Sequence, residues 1–474
     1  MNKFINKILC FVMTIILCLA FWGKIVLATE ISVDYEAIST QIARDVEENH
    51  IPGMAVCVVD KDGVIFEETY GNCTSIEQPF IIGSMSKSFT AISIMQLQEQ
   101  GRIDLDDSIS QYIDASEWFI NSTDSNEITI RELLNQTSGI DTYQTFGKLE
   151  RTDSYGTHVY ANANYGLLGL IIETVSGMSY EDYVTENIFN PLGMDNSAAS
   201  LEKAKEKGLI EGYRNYFGIP VAGEADYPEA IHNGSWTNVP AGYISSSCSD
   251  MGKYLQMYLN DGEDIVNGES IKSVLYDNVP VNNGSYYYGM GWMYSEEMYS
   301  QPILWHAGLV ENYTSNMFIL PEEGIAVVVL VNMNDYLVTN NVIGNIVNPL
   351  IGEARNNLPN LYLILHGLID IICVLLCTFS VYGILRTFRC KNKERILKAT
   401  VLDLMVYILV PIILLCIPFM VNTPVSVLWL FVKDLCIVIY ANATILILSG
   451  VCRVVHLAKR KSMHSKIEIC SQGT

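Results

Sequence analysis

Phe80-Ile-Ile-Gly-Ser-Met-Ser-Lys87 is the stretch from which the rest of the chain can be read. An apolar run meets a glycine, and from there the spacing turns helical. Met85, Phe89, Ile92 and Met95 follow one another at steps of four, three and three, and Gly101 supplies a stop. Ser84 therefore stands at or near a helix N-terminus, where the peptide dipoles favour negative charge on its oxygen. Lys87 lies one turn on, on the same face. Its amine can take the serine proton if burial and neighbours keep it neutral. Alone, Ser-x-x-Lys is a weak signal: Ser200–Lys203 repeats it and reads as an ordinary helix cap.

Two later motifs add to it. Tyr160-Ala-Asn162 precedes a second helix pattern, with Tyr165, Leu168, Ile172 and Val175 on its apolar face and Gly177 at its end. A tyrosine there can shuttle protons between nucleophile and leaving group, and a neighbouring lysine ammonium would ease its ionisation. Asn162 can donate one hydrogen bond to a substrate carbonyl and accept another. His306-Ala-Gly308 follows Ile303-Leu-Trp305 on a strand. Gly308 lets another backbone approach closely. The amide of Leu309 can pair with that of Ser84 as an oxyanion hole.

Around these motifs the pattern is mixed. Val33 to Asn49 is amphipathic. Gly53–Tyr70, broken by Lys61-Asp62-Gly63, reads as a β-hairpin. Strand-like runs close the domain at Ile303–His306, Ser315–Leu320 and Ile325–Asn332, the last two joined by Pro321-Glu-Glu-Gly324. The middle is mostly helical. N- and C-terminal strands in one antiparallel sheet, with the helical part beside it, make an α+β domain.

Phe80–Lys87 resembles the nucleophile motif of serine β-lactamases and penicillin-binding proteins. The resemblance is closer to the class C β-lactamase-related group, which holds low-molecular-mass carboxypeptidases, D-aminopeptidases and esterases. Further matching stretches follow in the family's order. They are Gly101-Arg-Ile-Asp-Leu-Asp-Asp107, Leu133-Leu-Asn-Gln-Thr-Ser-Gly139, Tyr160-Ala-Asn-Ala-Asn-Tyr-Gly-Leu-Leu-Gly169, Asn190-Pro-Leu-Gly-Met194, Pro240-Ala-Gly-Tyr-Ile-Ser-Ser246 and Tyr288-Gly-Met-Gly-Trp292. The resemblance implies a β-lactamase/transpeptidase-like fold over 29–350. It also implies an acyl-enzyme on Ser84 assisted by Lys87 and Tyr160, with Asn162, His306, Gly308 and Leu309 at the substrate. The expected substrates are cell-wall peptides ending in D-amino acids, β-lactams or esters. The alternative is a binding module that is acylated slowly and acts as a sensor. Two positions depart from the pattern. His306 stands where β-lactamases carry the lysine of Lys-Thr-Gly, a substitution shared with the esterase and aminopeptidase branches. Gln136 replaces the usual histidine before Thr-Ser-Gly.

The ends of the chain of 474 residues differ from its middle. Residues 1–28 read as a secretory signal: Lys3 and Lys7, an apolar run from Ile8 to Trp22, and Val26-Leu27-Ala28 as a cleavage site. An uncleaved anchor is the alternative. After a linker at 351–360, three apolar segments at 361–385, 401–421 and 425–452 suit membrane spans of about 20 residues. The loop 386–400 and the tail 453–474 are basic, so both are expected in the cytoplasm. That places the catalytic domain outside a bacterial cell membrane, with lipid as a partner of three helices. Asp370 and Lys433 fall within or at these segments and are expected to pair.

Residues 29–357 carry 14 Lys and Arg against 47 Asp and Glu, a formal charge of −33. Such a surface repels phosphate backbones, so nucleic acid is excluded as a partner; a small molecule or peptide is the expected substrate. Only Cys57, Cys73 and Cys248 fall in this region, and no disulfide framework is expected. No metal-ligand spacing is present, so neither a metal nor another cofactor is expected.

Overall fold

Asp60 closes the first turn of the domain. Its carboxylate accepts the backbone N–H groups of Asp62 (2.8 Å) and Gly63 (2.9 Å), an Asx turn that folds β1 (Gly53–Asp60) onto β2 (Val64–Gly71). Cys57 lies opposite Glu67; the turn at Lys61-Asp62-Gly63 predicts a partner at Phe66 or Glu67. The computed structural model describes residues 33–228, 230–297, 301–355, 361–389 and 393–471. The leader read at 1–28 and part of the linker read at 351–360 lie outside the described residues.

The remaining strands are β3 (Pro79–Ile81), β4 (Tyr213–Tyr216), β5 (Ile219–Ala222), β6 (Ser245–Ser247), β7 (Val279–Val281), β8 (Tyr286–Gly289), β9 (Trp292–Ser295), β10 (Ile303–Val310), β11 (Tyr313–Leu320), β12 (Ile325–Val331) and β13 (Met333–Asn334). Eight of them form an antiparallel sheet in the order β2-β1-β12-β11-β10-β9-β8-β7. N- and C-terminal strands thus share one sheet. The helices that position the site are α1 (Tyr35–Glu48), α2 (Ser86–Glu99), α3 (Asn162–Ser176), α4 (Val239–Gly242), α5 (Cys248–Leu259) and α6 (Tyr336–Leu350).

β1 and β12 are buried on both faces, so they read as continuous apolar runs rather than as alternation. Ala55, Cys57 and Val59 join the core under α5 and the helical half. Met54, Val56 and Val58 point to the opposite face, which α1 and α6 cover; Asn345 donates to Asp45 across those two helices (3.1 Å). Gly252 of α5 lies close to Cys57, where an added methyl would come within 3.0 Å of the sulfur. Cys57, Cys73 and Cys248 are all free thiols buried in this core.

α2 is buried on all sides, beyond the apolar positions Phe89, Ile92 and Met95 that mark its spacing. Every residue from Ser86 to Leu97 is buried. The polar positions survive there because they bond locally. Ser86 donates to Gly83 O (2.7 Å), Ser88 to Met85 O (2.8 Å) and Ser93 to Phe89 O (2.9 Å).

The C-terminal part is a set of long apolar helices: α7 (Leu361–Arg389), α8 (Lys393–Met420), the short α9 (Val425–Phe431) and α10 (Lys433–Ser471). Gly367–Arg389 and Lys433–His456 are long and apolar enough to cross a membrane, with mean hydropathies of 2.4 and 2.2. Val406–Met420 and Val425–Phe431 pass that test together but meet at 88°. The segment 425–452, expected as one span, is therefore two helices that break at Val432 (φ −134°, ψ 54°). The carboxylate of Asp434 accepts Leu435 N–H (2.7 Å) at the start of the second. The ion pair expected between Asp370 and Lys433 is not found among the described residues. The break leaves Lys433 Nζ 5.8 Å from the centre of the Trp429 ring instead.

Candidate active site

Ile82 and Gly83 carry the chain from β3 into a single 3-10 turn, Gly83–Met85, that runs directly into α2. Gly83 has a left-handed φ of 56°, which glycine adopts without cost. It also lies flat against β10: a Cβ there would stand 2.5 Å from Leu309 N. Gly308 meets the same contact from the other side, where a Cβ would stand 2.1 Å from Ile82 O and 2.2 Å from Ser315 Oγ. Ser315 Oγ donates to Ile82 O (2.7 Å) and pins the crossing. Two glycines thus bring the strand carrying the Leu309 amide against the turn that presents Ser84, which remains partly exposed.

Lys87 is wholly buried one turn along. Its Nζ lies 2.6 Å from Ala241 O, 2.8 Å from Asn162 Oδ1 and 3.1 Å from Ser84 Oγ. Desolvation holds its pKa well below the ordinary lysine value. A neutral amine has two N–H donors and one lone pair. The carbonyl of Ala241 and the amide oxygen of Asn162 are obligate acceptors and take the donors. The lone pair is left for the Ser84 hydroxyl.

Tyr160 completes the group. Its ring centre is 4.7 Å from Lys87 Nζ, and its hydroxyl lies near Ser84. Burial, with a smaller contribution from Tyr288, pushes its pKa well above the ordinary phenol value, and the Ser84 contact only partly offsets this. The direction is opposite to the eased ionisation expected beside a lysine ammonium: burial disfavours both the Lys87 ammonium and the Tyr160 phenolate, so Tyr160 is held toward the neutral phenol that can give a proton.

His306 is buried beneath these groups. Its ring centre lies 6.3 Å from that of Tyr160 and 6.0 Å from that of Tyr288. Burial, the largest cause, pushes its pKa down to about 3, so the imidazole is neutral. Nδ1 donates to Ala307 O (2.7 Å), a tautomer assigned from its partner, which leaves Nε2 as an acceptor.

Gln136, a departure to which the sequence attached no consequence, positions this group. It adopts a left-handed φ of 60°, and its Oε1 accepts Ala161 N–H (3.0 Å) and Asn164 Nδ2–H. Asn164 Oδ1 in turn accepts from Ser138 Oγ (2.7 Å), and Tyr165 donates to Leu134 O (2.9 Å). These bonds fasten the start of α3, and so Tyr160 and Asn162, to the loop 134–138. Ser200, by contrast, caps the helix Leu201–Glu206 by accepting Lys203 N–H, and donates to Glu181. That second Ser-x-x-Lys is a helix cap, as read.

A serine at the mouth of a buried helix, facing the end of β10 that β9 does not cover, is the arrangement of the serine β-lactamase and penicillin-binding superfamily. The chain belongs to the Beta-lactamase family, whose pattern matches residues 38–341. It is similar to Protein flp of Staphylococcus aureus (strain NCTC 8325 / PS 47), 27% identical over 330 residues that cover 63% of each chain. Beta-lactamase-like protein 2 of Dictyostelium discoideum is 25% identical over 323 residues, 60% of this chain and 57% of that protein. The chain thus spans less than two thirds of the length of these curated relatives. Among solved structures, an octameric penicillin-binding protein homologue from Pyrococcus abyssi superposes with a TM-score of 0.59 at 26% identity, over 68% of this chain and 79% of that one. A D-stereospecific amidohydrolase from Streptomyces sp. shares the fold, with a TM-score of 0.53 at 20% identity over 67% of this chain and 99% of that one.

Proposed function

We propose that the protein is a serine hydrolase working through an acyl-enzyme on Ser84. The position of Lys87 carries this reading: Nζ lies 3.1 Å from Ser84 Oγ, and in its neutral form the acceptors Asn162 Oδ1 and Ala241 O take both N–H groups, so the lone pair faces the nucleophile. In acylation the Ser84 proton passes to Lys87 Nζ as Oγ bonds to the substrate carbonyl carbon. The developing oxyanion is held by the Ser84 and Leu309 amides. The bond to the leaving group breaks as Tyr160 donates its proton, and Lys87 returns a proton to the phenolate. Water, activated by the same groups in reverse, releases the acid. Asn162 and the strand His306–Leu309 border the substrate.

The neutral, buried imidazole of His306 offers no cation to a substrate carboxylate there. This favours amides of D-amino acids or esters over a β-lactam as the turned-over substrate. We further propose that α7, α8 and α10 anchor the protein in a bacterial cell membrane, with the hydrolase domain on the outer side. The basic residues at 386–398 and 453–466 support that orientation.

The test is intact-mass spectrometry of the full chain in detergent, incubated with a penicillin or with an activated serine-hydrolase probe, beside Ser84→Ala. An adduct on the native chain and none on the variant is expected. A folded native chain that takes neither reagent would overturn the reading.

A further inference from the structure

The hairpin β4–β5 exposes apolar side chains, and nothing in the proposed chemistry uses it. Phe217 and Gly218 form its turn, both left-handed (φ 56° and 79°), the backbone of a tight two-residue hairpin. Phe217 is 42% exposed, Ile219 64% and Val221 44%. Ile219 and Val221 alternate along β5 and so share a face. The opposite end of the hairpin is acidic, with Glu211, Glu224 and Asp226 at least ~10 Å from the turn by strand rise.

The turn touches the apolar helices. Phe217 N–H donates to Asp434 Oδ2 (3.1 Å) at the start of α10. Next to that point, Trp429 is 41% exposed and carries Lys433 Nζ 5.8 Å from its ring centre. An exposed tryptophan with a lysine beside it marks the level of a membrane–water interface. Phe431 packs on Trp236 of the hydrolase domain, 6.4 Å between ring centres at 77°, so a second contact lies at the same level.

We propose that the β4–β5 hairpin is a lipid-contact element: Phe217, Ile219 and Val221 lie in the interfacial layer of the outer leaflet beside the start of α10. This rests on the reading of α7, α8 and α10 as membrane spans. Lipid is favoured over a second copy of the chain because the apolar tip is continuous with the apolar helices. In addition, residues 29–357, at a formal charge of −33, repel their own kind. With Asp434 and Phe431 as further fixed points, the hairpin holds the hydrolase domain in one orientation on the bilayer.

The test uses the full chain in vesicles of phosphatidylcholine with and without brominated acyl chains. Ile219→Trp places a tryptophan at the hairpin. Val64→Trp places one at the far end of the sheet, beside the β1–β2 turn. Trp429→Phe shows what Trp429 contributes to the native signal. The emission added at position 219 is expected to fall by about half in brominated lipid, and that added at position 64 to be unchanged. Quenching of Trp429 without quenching at position 219 overturns the hairpin proposal and leaves the spans standing. Quenching at neither site overturns the membrane reading as well. Shielding of position 219 from aqueous acrylamide without bromine quenching assigns the patch to a protein contact and also overturns the proposal.

Discussion

Gly308→Ala tests the crossing of β10 over the nucleophile turn. The new methyl would stand 2.1 Å from Ile82 O and 2.2 Å from Ser315 Oγ. The Ser315 hydroxyl can rotate away, but the Ile82 carbonyl is backbone. Ordinary contact begins near 3.4 Å, so strand and turn must separate by about 1.3 Å, beyond the ~1 Å misplacement that can cost a hundredfold in rate. The separation falls between the two amides assigned to the oxyanion. Acylation of Ser84 is therefore expected to slow by about a hundredfold. Overpacking should cost about 1–3 kcal/mol, a fall in Tm of several degrees. The assay is the second-order rate of probe addition by intact mass, with thermal unfolding in parallel. A variant that acylates at the native rate would refute the reasoning, whatever its Tm. A variant that loses several degrees but keeps the rate would show that the glycine serves packing alone.

Four other outcomes are expected. Lys87→Ala removes the lone pair that faces Ser84 and should slow acylation by about a thousandfold. In the native chain acylation should persist at neutral pH and fall on acidification, as Nζ, with its lowered pKa, gains a proton; pH profiles of probe addition check both. Gln136→Leu leaves the Ala161 amide without its acceptor, at about 1–3 kcal/mol. It should lower turnover by displacing Tyr160 and Asn162, read as a loss in kcat together with a lower Tm. Asp335, buried at the start of α6, has its pKa raised by desolvation from 3.8 to about 7. The folded chain therefore holds that proton more tightly than the unfolded chain. Stability should fall as pH rises from about 4 to about 7 and stay level above, by roughly 4 kcal/mol in all. Tm against pH for the native chain and Asp335→Asn checks this, and the variant should lack that slope.

The parts of the fold legible in the sequence are those set by local rules. The turn at Lys61-Asp62-Gly63 narrowed the partner of Cys57 to Phe66 or Glu67, and it is Glu67. Gly177, with its left-handed φ of 76°, ended α3 where the spacing predicts. The order of the three motifs picked out the groups that meet around Ser84. What escaped depends on burial by distant segments. The pKa of Tyr160 moved up rather than down because burial in the core desolvates it, which no spacing records. Gln136 looked like a neutral replacement because its partners, Ala161 and Asn164, lie 25 and 28 residues away. The break at Val432 escaped because hydropathy is blind to a backbone N–H that arrives from Phe217.

The three thiols behind the sheet set a timing problem for biogenesis. Cys57, Cys73 and Cys248 are at most 3% exposed, and desolvation pushes Cys57 up to about 12. In the finished domain they are unreactive, since the thiolate is the attacking species. Before β1 meets α5 they are ordinary thiols, and on the proposed outer-side placement of the domain a chain folding in an oxidising compartment risks joining two of them wrongly. Folding must outrun oxidation once, and afterwards packing protects them. The same property makes them internal clocks: an alkylating reagent reaches them only when the sheet and α5 part, so their labelling rate counts the openings of the core.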